Sequence, residues 1–175
     1  MINLRKLFWS IFYFGGAFII GALIGREIII YYDAQIFKLW SWKHPPAVIN
    51  CYGPELNETY IHRAVDYWAV REEHISFIES NPPRSVCKDS FIEGFIILRK
   101  ATKNDISDTA LAVTKRKMHL GKLKSAEIYF RPGTYNLDYI IEHELGHAFG
   151  YTHLEEEGHI MHPIYNKMGP KFWIP

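Results

Sequence analysis

Cysteine is scarce, with only Cys51 and Cys87 in 175 residues. That excludes a disulfide framework, and without a CxxC or any Cys-rich spacing it excludes a thiolate-bound zinc module. The two thiols can pair as one disulfide in an oxidising compartment or stay apart and buried; composition leaves both open. Net charge is almost missing too, at +1 near neutrality, so no global field draws the chain to nucleic acid or acidic partners. The one local excess of base comprises Lys115, Arg116, Lys117, Lys122 and Lys124. It has no interleaved aromatics and reads as a solvated strand face. Repeats and low-complexity tracts are absent. What is present is a 48% hydrophobic, 22% charged chain, a balance that supports a packed core rather than disorder.

Charge is also missing locally, from residues 7–25. As a helix this run spans roughly 28 Å, close to the hydrocarbon thickness of a bilayer. Arg5 and Lys6 precede it, Arg26 and Glu27 follow it, and Trp9, Tyr31 and Tyr32 suit the interfaces. The run exceeds the ~7–15 apolar residues of a signal-peptide core, so 1–30 reads as an uncleaved transmembrane anchor. The expected location is therefore a single-pass membrane protein with an extracytoplasmic C-terminal domain. Ala17, Gly21 and Gly25 share one face at four-residue spacing, which suits close helix pairing in lipid and a homodimer. Residues 31–46 then read as a juxtamembrane linker ending at Pro45 and Pro46.

From 47 to 175 the pattern is that of a mixed α+β domain. Strands are expected at 47–52, 75–79, 91–99, 111–115 and 125–130, making a twisted sheet of about five. Gly94 interrupts the third of these, and Gly121 marks a turn between the last two. Two main helices are expected, over 55–74 and 136–149, the second with Asn136 as N-cap, Asp138 in the first turn and Gly150 at its end.

The chemistry sits on that second helix. From 143 the chain reads His-Glu-Leu-Gly-His-Ala-Phe-Gly-Tyr-Thr-His. Residues four apart share a helix face, so His143 and His147 aim at one point, with Glu144 beside them. Gly150 permits the positive φ that turns the chain back and lets His153 join them. Three histidines leave the fourth position of a zinc ion open for water, the arrangement of a catalytic site. Glu144 is then the general base. His159 and His162 nearby read as solvated, Glu155 to Glu157 as a polar loop, and the remaining four histidines have no motif around them.

Together these residues resemble the metzincin zinc peptidases, whose H-E-x-x-H-x-x-G-x-x-H is followed by a Met-turn. Met161 follows His153 closely, and its Met-x-Pro-x-Tyr text is similar to the matrixin branch, the matrix-metalloproteinase-like catalytic domains. The resemblance implies that Met161 floors the metal and that Pro163 and Tyr165 wall a substrate side-chain pocket. It also implies that an extended peptide pairs antiparallel with the edge strand 109–114. The expected activity is endopeptidase hydrolysis by zinc-activated water, with one catalytic Zn2+ and a peptide or protein as substrate. Several features depart from the matrixin pattern. The ten residues after Tyr165 leave the usual C-terminal helix missing or vestigial. Residues 99–125 lack a His/Asp-rich loop for structural zinc and calcium, and no cysteine switch precedes the domain. The competing reading is a membrane-tethered, zinc-binding module that keeps the fold without turnover; the intact Glu144 speaks against it.

Overall fold

The computed structural model describes residues 37–175, of which Phe37–Trp173 form one compact unit. The six strands are β1 (Ser41–Trp42), β2 (Ala47–Asn50), β3 (Ile78–Glu79), β4 (Phe95–Lys100), β5 (Ala112–His119) and β6 (Lys122–Phe130). Among the described residues two α-helices accompany them, α1 (Glu58–Ala69) and α2 (Ile140–Phe149). The architecture is mixed α/β, as expected, with one strand more than the sequence suggested. The sheet runs β1-β6-β4-β2-β3, and β5 pairs with the other side of β6.

Burial explains this order. Central β2 and β4 are near-continuous apolar runs that pair in parallel and are closed on both faces, as parallel strands require. β5 alone among the long strands is antiparallel to its neighbour and half-exposed along its length, so it forms the free edge of the sheet. Leu120 and Gly121 both take positive φ, 48° and 72°, which makes the tight two-residue hairpin turn joining β5 to β6.

α1 opens on Asn57, whose side chain accepts a hydrogen bond from Thr59 N at 2.9 Å. It buries Ile61, Ala64 and Trp68 along one stripe. The Trp68 indole crosses to the second helix and donates to Glu142 O at 2.7 Å. α2 packs against α1, β5 and β6 and is buried at nine of its ten positions.

Several expectations need correction. α2 begins at Ile140, not near Asn136, because Tyr139 sits in the left-handed region at φ 64° and cannot continue a helix backward. The preceding residues form turns pinned by Thr134 Oγ1, which lies 2.8 Å from Leu111 O and 2.9 Å from Arg131 O. Gly94, with φ 86°, precedes β4 instead of interrupting it. Phe37 to Trp42, assigned above to a linker, belong to the compact unit: Phe37 is in the core and Leu39 N donates to Gly150 O at 3.1 Å. Cys51 and Cys87 form a disulfide that ties the end of β2 to the turn Val86–Lys88.

The membrane localisation is also overturned. Among the described residues no helix is long and apolar enough to cross a bilayer. Residues 7–25, with the small-residue face of Ala17, Gly21 and Gly25, lie outside the described residues.

Candidate active site

α2 carries His143, Glu144 and His147 in one and a quarter turns, and Gly150 ends it at φ 106°. A β-carbon at Gly150 would overlap Trp40 O, so the position needs glycine for its conformation and for space. The chain reverses there, and Tyr151 to His153 run back beside the helix. The side chains of His143, His147 and His153 gather so that one ligand atom from each lies within 4.8 Å of the others.

Each helical imidazole is oriented by a carbonyl. His143 Nδ1 is 2.8 Å from Ile160 O and His147 Nδ1 is 2.9 Å from Tyr151 O, leaving both Nε2 atoms facing the common point. His147 Nε2 and His153 Nε2 are 3.1 Å apart. Ligands about 2.0–2.1 Å from a tetrahedral ion stand roughly 3.3 Å from each other, close to the spacing of this pair, and the third imidazole lies within 4.8 Å, so the donor set suits zinc. The carbonyl partners fix the ring orientation and tautomer that a metal-binding histidine requires. Burial holds the His143 pKa down to about 4 and that of His147 well below its ordinary value, so both are neutral and able to ligate at pH 7.

Glu144 is buried beside them. Thr114 Oγ1, on the edge strand, lies 2.5 Å from Glu144 Oε2 and 3.1 Å from Glu144 O. In the metal-free protein burial pushes the carboxyl up to about 7, opposed by the Thr114 hydrogen bond and the Arg116 charge. A group poised there can exchange a proton near neutrality.

Met161 is fully buried and lies under α2 together with Trp68, where a β-carbon at Gly146 would press into both. Around the three histidines opens a cleft of about 770 Å³. One side is the edge running from Thr109 to Thr114; the other is formed by Pro163, Ile164 and Tyr165. His143, Glu144, His147, His153, Pro163 and Tyr165 line the cleft, while Met161 lies beneath α2 and Gly150 packs against Trp40.

Two readings fail at this point. His159 and His162 are buried, not solvated. His159 Nδ1 accepts from Met161 N at 3.0 Å and its Nε2 lies 3.2 Å from Trp173 O, while His162 Nδ1 accepts from Ile164 N at 2.9 Å. They brace the turn around Met161. Arg116 likewise leaves the solvated face: it donates to His147 O at 2.9 Å and its guanidinium lies 4.8 Å from the centre of the Trp40 ring. Thr114 carried no motif, and nothing in the linear text pairs it with Glu144. Strand alternation alone could have placed it on the inner face of β5.

A mixed sheet with an exposed edge lies beside a helix bearing two imidazoles and a buried glutamate, and a third imidazole from the chain after that helix joins them in a group able to hold a metal ion. The sequence model of the Matrixin family matches residues 50–174. The chain belongs to that family. No curated protein matches it at a significant level.

Proposed function

We propose that this chain is a zinc-dependent endopeptidase in which His143, His147 and His153 hold one zinc ion and Glu144 is the general base. The observation that carries this reading is the convergence of the three imidazoles on one point, with Nδ1 of both helical histidines tied to carbonyls and the Glu144 carboxylate alongside. Membership of the matrixin family supports it independently. A zinc ion bound there supplies Lewis acidity and a water whose pKa falls toward ~7. Glu144 takes a proton from the attacking water and returns it to the leaving amine. Thr114 steadies the Glu144 carboxylate. An extended substrate pairs antiparallel with the free edge at Thr109 to Thr114, and Pro163 and Tyr165 wall the pocket for one of its side chains. Met161, fully buried against the face of α2 at Gly146, would support the helix that carries His143 and His147.

The decisive experiment compares wild type with Glu144→Ala on a peptide library, with zinc content measured on both. The expected outcome is one zinc per chain in each, cleavage by wild type that chelators abolish, and a loss of roughly 10²–10⁴-fold in the variant. A zinc-loaded wild type that cleaves nothing would favour a non-catalytic zinc-binding module instead. Undiminished cleavage by the variant would remove Glu144 from its role.

A further inference from the structure

The basic run that includes Lys115 and Arg116 is divided by the two-residue period of β5. Lys115 turns to the outer face, where it pairs with Asp105 at 3.6 Å and lies 4.4 Å from the centre of the Tyr129 ring. Arg116 turns the other way, toward α2, and lines the cleft two positions beyond Thr114. Among the described residues it is the only lysine or arginine along that cleft. Its side chain is half-buried, and among the described residues no carboxylate forms an ion pair with it. One of its five N–H donors bonds to His147 O, and Trp40 covers one side of the guanidinium. A partly desolvated, permanently charged fork with spare donors beside a substrate groove is a recognition element for a carboxylate.

From this we infer that Arg116 sets substrate specificity, selecting an aspartate or glutamate on the N-terminal side of the scissile bond. The inference rests on the proposed peptidase reading. Its direction follows from the strand geometry. A peptide antiparallel to β5 has its N-terminal part beside the C-terminal part of that strand, and Arg116 lies on that side of Thr114 and Glu144. Two residues along a strand advance ~6.6 Å, which places Arg116 upstream of the reacting bond and not at it. The substrate residue opposite Arg116 presents its side chain on the same face, about 4.5–5.5 Å away between β-carbons, within reach of a cross-strand ion pair. Trp40 and α2 limit access of water to that pair, which strengthens it relative to one on an open surface.

Arg116 also caps the last turn of α2, so loss of overall activity on mutation would not distinguish recognition from support. The test is therefore a ratio. Peptides carrying glutamate at successive upstream positions are compared with their glutamine twins, and kcat/KM is measured for each pair. Wild type should prefer glutamate at one upstream position by roughly tenfold, equivalent to ~1.4 kcal/mol, and the preference should shrink as salt is raised. Arg116→Gln should bring that ratio to about one, and Arg116→Glu should invert it in favour of a lysine peptide. A purely structural role would lower both members of a pair together and leave the ratio intact. If the variants fail to fold, the salt dependence of the wild-type ratio still decides. Wild-type cleavage with a ratio of one at every upstream position overturns the specificity assignment alone. Absence of wild-type cleavage instead refutes the peptidase reading on which it rests.

Discussion

Gly146→Ala tests whether α2 rests on the Met161–Trp68 floor. Two opposed effects set the sign. Alanine is the better helix former by about 0.8–1.0 kcal/mol, so on an open helix the change would stabilise. Here the new β-carbon would lie well inside contact distance of Met161 Sδ and 2.6 Å from Trp68 Cζ2. Comfortable carbon contacts need about 3.5–4.0 Å, so roughly an ångström of relief must be found against each group. Met161 can swing its flexible thioether aside. Trp68 cannot: it is fully buried, its indole N–H is committed to Glu142 O at 2.7 Å, and its ring stacks on Tyr151 with centroids 5.2 Å apart. Overpacking of this kind costs about 1–3 kcal/mol, which outweighs the propensity gain. The net expectation is a loss of about 0.5–2 kcal/mol.

Urea unfolding of the chelator-treated protein would measure that loss, and competition with a chromophoric chelator would measure the accompanying fall in zinc affinity. A double-mutant cycle sharpens the test. Met161→Ala alone opens a cavity and should cost about 2–5 kcal/mol, but less in the Gly146→Ala background, where the smaller side chain relieves the clash. A Gly146→Ala protein as stable as wild type, with strictly additive effects in the double variant, would refute the packing argument.

Removing the Cys51–Cys87 disulfide by serine substitution at both positions should cost about 3–4 kcal/mol, the loop entropy of a cross-link with a sequence separation of 36. Urea midpoints with and without reductant would show it, and a change below about 1 kcal/mol would refute it. pH acts through the imidazoles: burial lowers the pKa of His143, His147, His153 and His159, while burial raises that of Glu144. Below the ordinary histidine value of ~6.5 the unfolded chain takes up protons more readily than the folded chain on four rings, against one extra proton held by folded Glu144. The metal-free domain should therefore lose stability as pH falls from about 6.5 to 5; a flat or rising stability over that window, by urea titration, would show the rings already charged in the folded state.

What could be read in advance was whatever local spacing determines. His143, His147 and Gly150 follow from the geometry of one helix and its left-handed stop, and the hairpin at Gly121 follows from turn chemistry. Strand and helix ends were less legible because tertiary contacts set them. The run from Asn136 to Tyr139 has an acceptable helix start on paper. Thr134 and Arg131 bond back to the 107–111 segment and hold the chain in turns until Ile140. Likewise the residues 75–77 look like strand, yet only Ile78–Glu79 enter the ladder with β2, while Ser76 and Phe77 make single backbone bonds to Pro46 and Val48. Arg116 illustrates the same limit within the site: alternation assigns it a face, but only the folded chain shows that Trp40 and His147 await it there.

The support beneath the metal site was the least legible part, because it joins segments far apart in sequence. Phe37, read as linker, packs against Phe172, with centroids 6.1 Å apart, and against His159 at 5.6 Å. Phe172 in turn meets Trp68 and Tyr151, each at 5.2 Å. Short backbone ties hold the later segment in place: Ile160 N donates to Lys171 O at 2.7 Å, and Gly158 N donates to Lys167 O at 2.8 Å. Gly169 lies so close to Gly158 that a β-carbon there would come 2.8 Å from Gly158 O. After Tyr165, Phe172 thus joins the aromatic cluster of Phe37, Trp68, Tyr151 and His159, and the backbone of 167–171 is laced to that of 158–160. His159 belongs to this arrangement, which is why it is buried despite standing in a polar stretch of sequence. The motif names the residues proposed as ligands and base. Their fixed geometry depends on Ile160 O and Tyr151 O, the carbonyls that orient His143 and His147, and those atoms are held by residues no motif contains.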